Sequence, residues 1–240
     1  MKTKLVILTA TCEEDKQWFS QYLNEITRIN MSFVIHFDRC SDETKSLFRR
    51  HPLCVGSSEM NDPNHTYGEM DKQMAFDVIP KDYDWMMPLD IDETMEKRFN
   101  EKVETLDTMD LKFDIIDCPW WNLWDSPKHI RIDGPCQTGH RVKFYNLHRA
   151  PLLWKFYHPT INGMTLFEDD KMQKRRSEFI LNKLDISTLH WGLMTKELRE
   201  SHKARWDRIY SSHVGKNPYG FWDWMLDEKI TPVIREHDYL

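Results

Sequence analysis

Apolar positions in the first ninety residues follow two alternating spacings. KLVILTA (4–10) is a continuous apolar run of strand length, and SFVIHF (32–37), LCVGSS (53–58) and DWMMPLD (84–90) are three more. Between them, Trp18, Phe19, Tyr22, Leu23 and Ile26 of EEDKQWFSQYLNEITRI recur at helical spacing. SDETKSLFRR reads as a short helix capped by Ser41, and YGEMDKQMAFDVI (67–79) puts Met70, Met74 and Val78 on one helical face. Strands alternating with helices predict an α/β fold with a mostly parallel sheet and helical crossovers. Ligands of such sheets gather outside the carboxyl ends of the strands, where Thr9 to Thr11, Asp38 and Asp90 to Asp92 fall. Pro88 predicts that the far end of the fourth strand lacks a full set of ladder partners.

The pattern changes after about residue 110, where FDIID (113–117), KHIRID (128–133) and HRVKFYN (140–146) read as strands. CPWWNLWDSP, between the first two, reads as an irregular aromatic segment. EDDKMQKRRSEFILNKL, from 168 onward, and TKELRESHKARWDRI read as helices, on either side of an isolated His190-Trp191. No Gly-, Ser- or Pro-rich linker divides the chain, which predicts one domain over 1–240 with a larger first lobe and a smaller mixed second lobe.

Composition narrows the function classes. A net charge of −6 disfavours broad clamping of nucleic acid, which needs an excess of Lys and Arg along a face. Five cysteines, an odd number without a CxxC pair, predict reduced thiols in a cytosolic setting. No apolar run reaches the length of about 20 residues that spans a bilayer, so a cytoplasmic protein is expected, with at most a peripheral membrane association.

Candidate chemistry concentrates in LDIDE (89–93), where three acids crowd into four positions at a strand exit. Such crowding is costly unless a cation or a set of donors stands among the acids. Residues i and i+2 of an extended exit project to one side, so Asp90 and Asp92 could share a hard divalent cation that also binds a diphosphate. A solvated turn ahead of a helix is the plainer alternative. FVIHFDRCSDET (33–44) is the second such segment: Asp38 ends a strand and could accept from a base or ribose, or simply cap the turn with Ser41.

HFDRCSDET and LDIDE together resemble glycosyltransferases of the GT-A fold, close in style to family 2. In that group the second strand ends in a V-D-D-x-S-x-D-x-T pattern and a later strand ends L-D-x-D-[DE]. Asp38, Ser41, Asp42 and Thr44 stand in register, with Arg39 where a second Asp is usual. The resemblance covers residues 4 to 96 well and the remainder loosely. It implies a GT-A-like, Rossmann-like sheet flanked by helices, with a nucleotide-sugar-binding half over 1–100 and an acceptor-side half over 101–240. It further implies a metal-dependent transferase moving a sugar from a UDP- or GDP-sugar, UDP favoured, to a glycan or other hydroxyl acceptor. Thr9, Ala10, Asp38, Lys72, Asp90, Ile91 and Lys203 would line the nucleotide pocket. Asp90, Asp92 and His190 would hold Mn²⁺ or Mg²⁺, with imidazole favouring manganese.

An inverting member needs a carboxylate base, and FEDDKMQ offers Asp169 and Glu168, although acids also collect at helix starts through the dipole alone. Trp120, Trp121 and Trp124 read either as sugar platforms or as core filler. The alternatives are a nucleotidyltransferase, disfavoured because LTATCEED lacks a glycine-rich phosphate loop; a phosphohydrolase using Asp38; and a non-catalytic nucleotide- or glycan-binding domain with a degenerate site.

Overall fold

The computed structural model describes residues 4–63, 69–104, 106, 115–133, 140–148, 181–213 and 225–240. Four strands of the first half, β1 (Leu5–Cys12), β2 (Ser32–Asp38), β3 (Cys54–Met60) and β4 (Trp85–Pro88), lie in the order β3-β2-β1-β4. Every pairing among them is parallel. All eight residues of β1 are buried, as a central strand covered on both faces requires.

Three helices provide the crossovers. In α1 (Phe19–Ile29) the buried side chains Phe19, Tyr22, Ile26 and Ile29 keep the expected helical spacing. The segment ahead of it, Glu13–Trp18, is a 3-10 turn rather than the first turns of the same helix. Asn30 ends α1 in the left-handed conformation at φ 52°. α2 (Asp42–Arg49) starts as expected on Ser41, whose Oγ accepts from the Thr44 amide at 3.2 Å. α3 (Glu69–Phe76) is shorter than the periodicity suggested. One face of the sheet packs Ile7, Phe33, Ile35 and Trp85 against Tyr22, Ile26 and Phe48, while Val6, Leu8, Val34 and Met86 on the other meet Ala75.

The second half extends the same sheet with mixed polarity. Its strands are β5 (Glu93–Met95), β6 (Ile115–Asn122), β7 (His129–Arg131), β8 (His140–Asn146), β9 (Leu181–Lys183) and β10 (Thr188–His190). The order continues β4-β8-β6-β10-β5, with β9 beside β10 on β6. β7 pairs instead with the short β11 (Ile234–Glu236). β8 is antiparallel to β4 and β6, and β5 is antiparallel to β10. α4 (Phe99–Val103) follows β5, and α5 (Lys196–His213) follows β10.

Two expectations change. The CPWWN part of the aromatic segment is strand, belonging to β6. Pro119 is tolerated because it sits where β8 runs out opposite His140 and just before β10 begins opposite Trp120. The helical reading that began at 168 fails at its end, because residues 181–183 are extended along β6. Pro88 behaves as expected: β4 pairs with β8 only at Trp85 and Met86, so the missing amide faces no ladder partner there. Among the described residues, no helix is long and apolar enough to cross a membrane.

Among the described residues, Cys12, Cys40 and Cys118 are buried and Cys54 is half-buried, and none of the four is in a disulfide. Burial, reinforced at Cys12 by the Asp15 charge and at Cys40 by the neighbouring Cys12, pushes both thiols up to about 12. The thiolate is the reactive form. Iodoacetamide at pH 8 is therefore expected to leave the Cys12 and Cys40 peptides unmodified in the folded protein and to label both after denaturation, as read by peptide mass spectrometry.

Candidate functional site

The three acids of LDIDE face different side chains. Asp90 and Asp92 occupy the turn between β4 and β5, and Glu93 opens β5. Asp90 Oδ1 stands 2.9 Å from Lys72 Nζ, delivered by α3. Glu93, 1% exposed, accepts from Lys143 Nζ of β8 at 2.6 Å, from Trp120 Nε1 of β6, and from the Asp90 amide at 3.0 Å. Asp92 meets two imidazoles instead: Oδ2 is 3.1 Å from His190 Nε2 and 3.4 Å from His202 Nε2.

The sheet register produces this arrangement. β10 lies between β6 and β5, placing His190 opposite Asn122 on one side and Glu93 on the other. The Trp191 amide donates to the Asp92 carbonyl at 2.8 Å, tying the turn to the end of β10. His190 Nδ1 is 2.8 Å from Asn122 Oδ1, an acceptor, so this nitrogen carries the proton and donates. Trp120 stacks on the same imidazole at 5.1 Å between centroids and 27° between planes. The ring is thereby fixed with Nε2 turned to Asp92, the way a ligating histidine is oriented by its outer partner.

His202 arrives on α5, which is pinned at both ends of the site. Arg205 meets the buried Asp15 at 2.7 Å and Arg208 meets Glu14 at 2.9 Å, both at the exit of β1. Arg199 donates to the Leu193 and Met194 carbonyls and to Asp125. His202 lies three residues from both Arg199 and Arg205, hence on their face of the helix.

These three donors could hold a divalent ion. With bonds of about 2.1 Å, neighbouring ligands stand about 3.0 Å apart in an octahedron and about 3.4 Å apart in a tetrahedron. The Asp92 to His190 and Asp92 to His202 separations of 3.1 and 3.4 Å lie within that range, and all three ligand atoms lie within 4.8 Å of one another. The space between them is kept clear by Gly192: a β-carbon built there would collide with Asp92 Oδ2 and would itself lie 2.6 Å from His202 Nε2 and 2.9 Å from His190 Nε2. Charge agrees with geometry. Burial pushes the Asp92 carboxyl up, but His190 and His202 outweigh it and hold the group far below the ordinary carboxylate range. At Asp90 burial is likewise outweighed, there by Lys72 and Lys143.

The other predicted positions fall as follows. Thr9 is wholly buried, its Oγ1 donating to the Leu89 carbonyl at 2.8 Å and touching the Tyr22 hydroxyl. Ala10 and Ile91 are buried. Asp38 is buried at the end of β2 and gripped by its neighbour: Arg39, at φ 51°, folds back to donate at 2.9 and 2.6 Å. Lys203 Nζ pairs with Asp207 at 2.6 Å. Asp169 and Glu168 lie outside the described residues. The structure thus joins Asp92 to His190 and places Asp90 on Lys72. It adds His202, which the sequence reading passed over in favour of the adjacent Lys203. Spacing offered little signal for it, because its partners come from a strand end and a turn far away in the chain.

No family model matches the chain, and no curated protein matches its sequence. Among solved structures it is similar to residues 1–349 of TarS from S. aureus, with 11% identity, 93% of this chain and 69% of that chain covered, and a TM-score of 0.52. It also matches a 4-diphosphocytidyl-2C-methyl-D-erythritol synthase from Anaerococcus prevotii at 7% identity, covering 77% and 87%, with a TM-score of 0.49. A glycosyltransferase involved in glycosylation of the major capsid of PBCV-1 matches at 14% identity, covering 88% and 90%, with a TM-score of 0.38. The fold is GT-A-like, with a mostly parallel central sheet.

Because Gly192 borders all three donors, Gly192→Ala is expected to displace them while leaving the sheet intact. Isothermal titration calorimetry should show Mn²⁺ affinity reduced by at least about 10-fold, the scale of losses from disturbed ligand orientation, with circular dichroism unchanged.

Proposed function

We propose that the protein is a metal-dependent glycosyltransferase that moves a sugar from a nucleoside-diphosphate sugar, UDP-linked in the first instance, to an acceptor hydroxyl. The reading is carried by the convergence of Asp92, His190 and His202 at the carboxyl ends of the strands of a GT-A-like sheet, beside the Lys72–Asp90 pair. A divalent cation held there would supply positive charge to a departing nucleoside diphosphate.

The remaining work falls to the chain itself. Lys72, 24% exposed at its side chain, adds a cationic donor within reach of the same anionic group. At the end of β2, Arg39 engages both oxygens of the buried Asp38 and keeps a partly exposed guanidinium that a ribose or base could meet. Glu93 and Lys143 neutralise each other inside the wall, so that Trp120 keeps its place over His190 without leaving a buried charge unpaired. Proton removal from the acceptor is assigned to Asp169, with Glu168 as its neighbour, in a single displacement with inversion. The nucleotide-sugar half is assigned to residues 1–100 and the acceptor side to 101–240 of one domain.

Thermal denaturation tests the donor assignment. A nucleoside diphosphate at a hundredfold excess over its dissociation constant stabilises by about 2.7 kcal/mol, which for a chain of this size raises Tm by about 5–10 °C. That rise is expected with UDP or GDP only when Mn²⁺ or Mg²⁺ is present, and Asp92→Asn should abolish it without lowering the ligand-free Tm by a comparable amount. A rise independent of metal, or one retained in Asp92→Asn, removes Asp92 from the donor site. Asp169→Asn is expected to keep the metal-dependent Tm rise and to lose sugar transfer by at least about 100-fold, the lower end of a general base's contribution; full turnover in that variant rejects the base.

A further inference from the structure

Taking Lys72 as a donor-site cation, which rests on the function proposed above, we infer that His36 and Asp71 are positioning residues for it. Both lie outside the site. They lock α3 onto the sheet in the rotation that sets the lysine on Asp90.

The lock is a buried polar junction of three elements. His36 of β2 and Asp71 of α3 are both wholly buried, and His36 Nε2 stands 3.2 Å from Asp71 Oδ1. On the other side of the ring, Nδ1 is 2.9 Å from Oγ of Ser58, the β3 residue paired with His36 in the sheet register. A hydroxyl has one proton to give, and Ser58 gives it to the Met74 carbonyl at 2.8 Å. Ser58 therefore accepts from His36, so Nδ1 carries the proton and the ring is fixed with Nε2 turned to the helix. The helix is held through Asp71 and, by way of Ser58, through Met74, two points three residues apart.

Apolar packing alone does not set that rotation. Among the described side chains of α3, Ala75 is the one buried apolar group, set against Val6, Leu8, Val34 and Met86. A methyl group on an apolar face makes a contact without direction, whereas two polar ties fix an angle. The angle matters because Lys72 follows Asp71 immediately and is carried round with it. With side chains about 6 Å from the helix axis, a turn of about 30° moves a side-chain atom by about 3 Å. That is the whole of the 2.9 Å between Lys72 Nζ and Asp90 Oδ1. Attachment by itself would be served as well by apolar residues of similar volume. Orientation is what the buried carboxylate and imidazole add.

Acylation of the nucleotide-free full chain reads the position of Lys72. A lysine released from its carboxylate acylates faster. Its rate with acetyl-N-hydroxysuccinimide is followed by peptide mass spectrometry, with the exposed Lys97 as internal standard. The double variant His36→Leu, Asp71→Leu replaces the pair with apolar groups and is expected to fold, with circular dichroism unchanged. Its Lys72 should label at least about threefold faster than in the wild type. Asp71→Asn, which keeps an acceptor oxygen before the ring, should stay within about twofold of the wild type. Ser58→Ala, a milder change, should raise the Lys72 rate in the same direction as the double variant. An unchanged rate in the folded double variant overturns the inference; should that variant not fold, Ser58→Ala decides alone. A long-range proton–nitrogen NMR spectrum of the wild type showing His36 Nδ1 without its proton also overturns it, and needs no variant.

Nucleotide titration separates this inference from the reading beneath it. The double variant should weaken UDP or GDP binding with Mn²⁺ by at least about fivefold, and should add no loss in a Lys72→Ala background. A further loss in that background makes the pair merely structural and overturns the inference. Faster Lys72 labelling in the variant, with no wild-type response to either diphosphate, keeps the lock and removes the sugar-transferase reading. A diphosphate response with an unchanged Lys72 rate does the reverse.

Discussion

Electrostatic separation of three neighbouring acids is the constraint around which the rest of the molecule is arranged. Asp90, Asp92 and Glu93 cannot all remain ionised at one strand exit without compensation. Compensation comes from three different parts of the chain: Lys72 on α3, Lys143 on β8, and a histidine from each of β10 and α5. Two acids meet ammonium groups, which bind no metal. The third meets imidazoles, which compete for a proton or an ion at the same nitrogen. The pairing with lysines therefore selects which carboxylate stays available for chemistry.

Sheet architecture delivers the partners to that exit. The parallel half ends its strands on one edge, as doubly wound sheets do. The second half then brings β8 in antiparallel beside β4, so that Lys143 reaches back toward the same edge. β10, inserted between β6 and β5, carries His190 into line with Asn122 and Glu93. The side-chain period of two in each strand then decides the faces: His190 and Glu93 stand across from one another, while Trp191 turns to Thr94 on the other side.

The legibility of this design in the sequence follows the length of its parts. KLVILTA, SFVIHF and DWMMPLD are continuous apolar runs because a parallel strand is covered on both faces, and that burial is written directly in the residues. Ser41 was legible for a local reason, since a cap needs only its own turn. β5 and β10, each three residues long, are too short for any periodicity to show. Pro119 in β6 misled because its tolerance depends on which neighbour each residue faces, a fact of the assembled sheet. His202 sits on a strongly charged helix where a polar residue attracts no notice, and only docking of α5 against the β1 exit gives it meaning.

That docking joins segments 190 residues apart, Asp15 to Arg205. Closing so long a span is entropically late in any folding sequence, because nearer contacts form at lower cost. The third donor therefore comes into place only once the β1 exit and the closing helix are both ordered. An ion that needs all three donors cannot be captured by a nascent or half-folded chain. Loading of the proposed ion would in that sense be a readout of completed folding, and loosening of α5 alone would undo the three-donor cluster while the sheet stood.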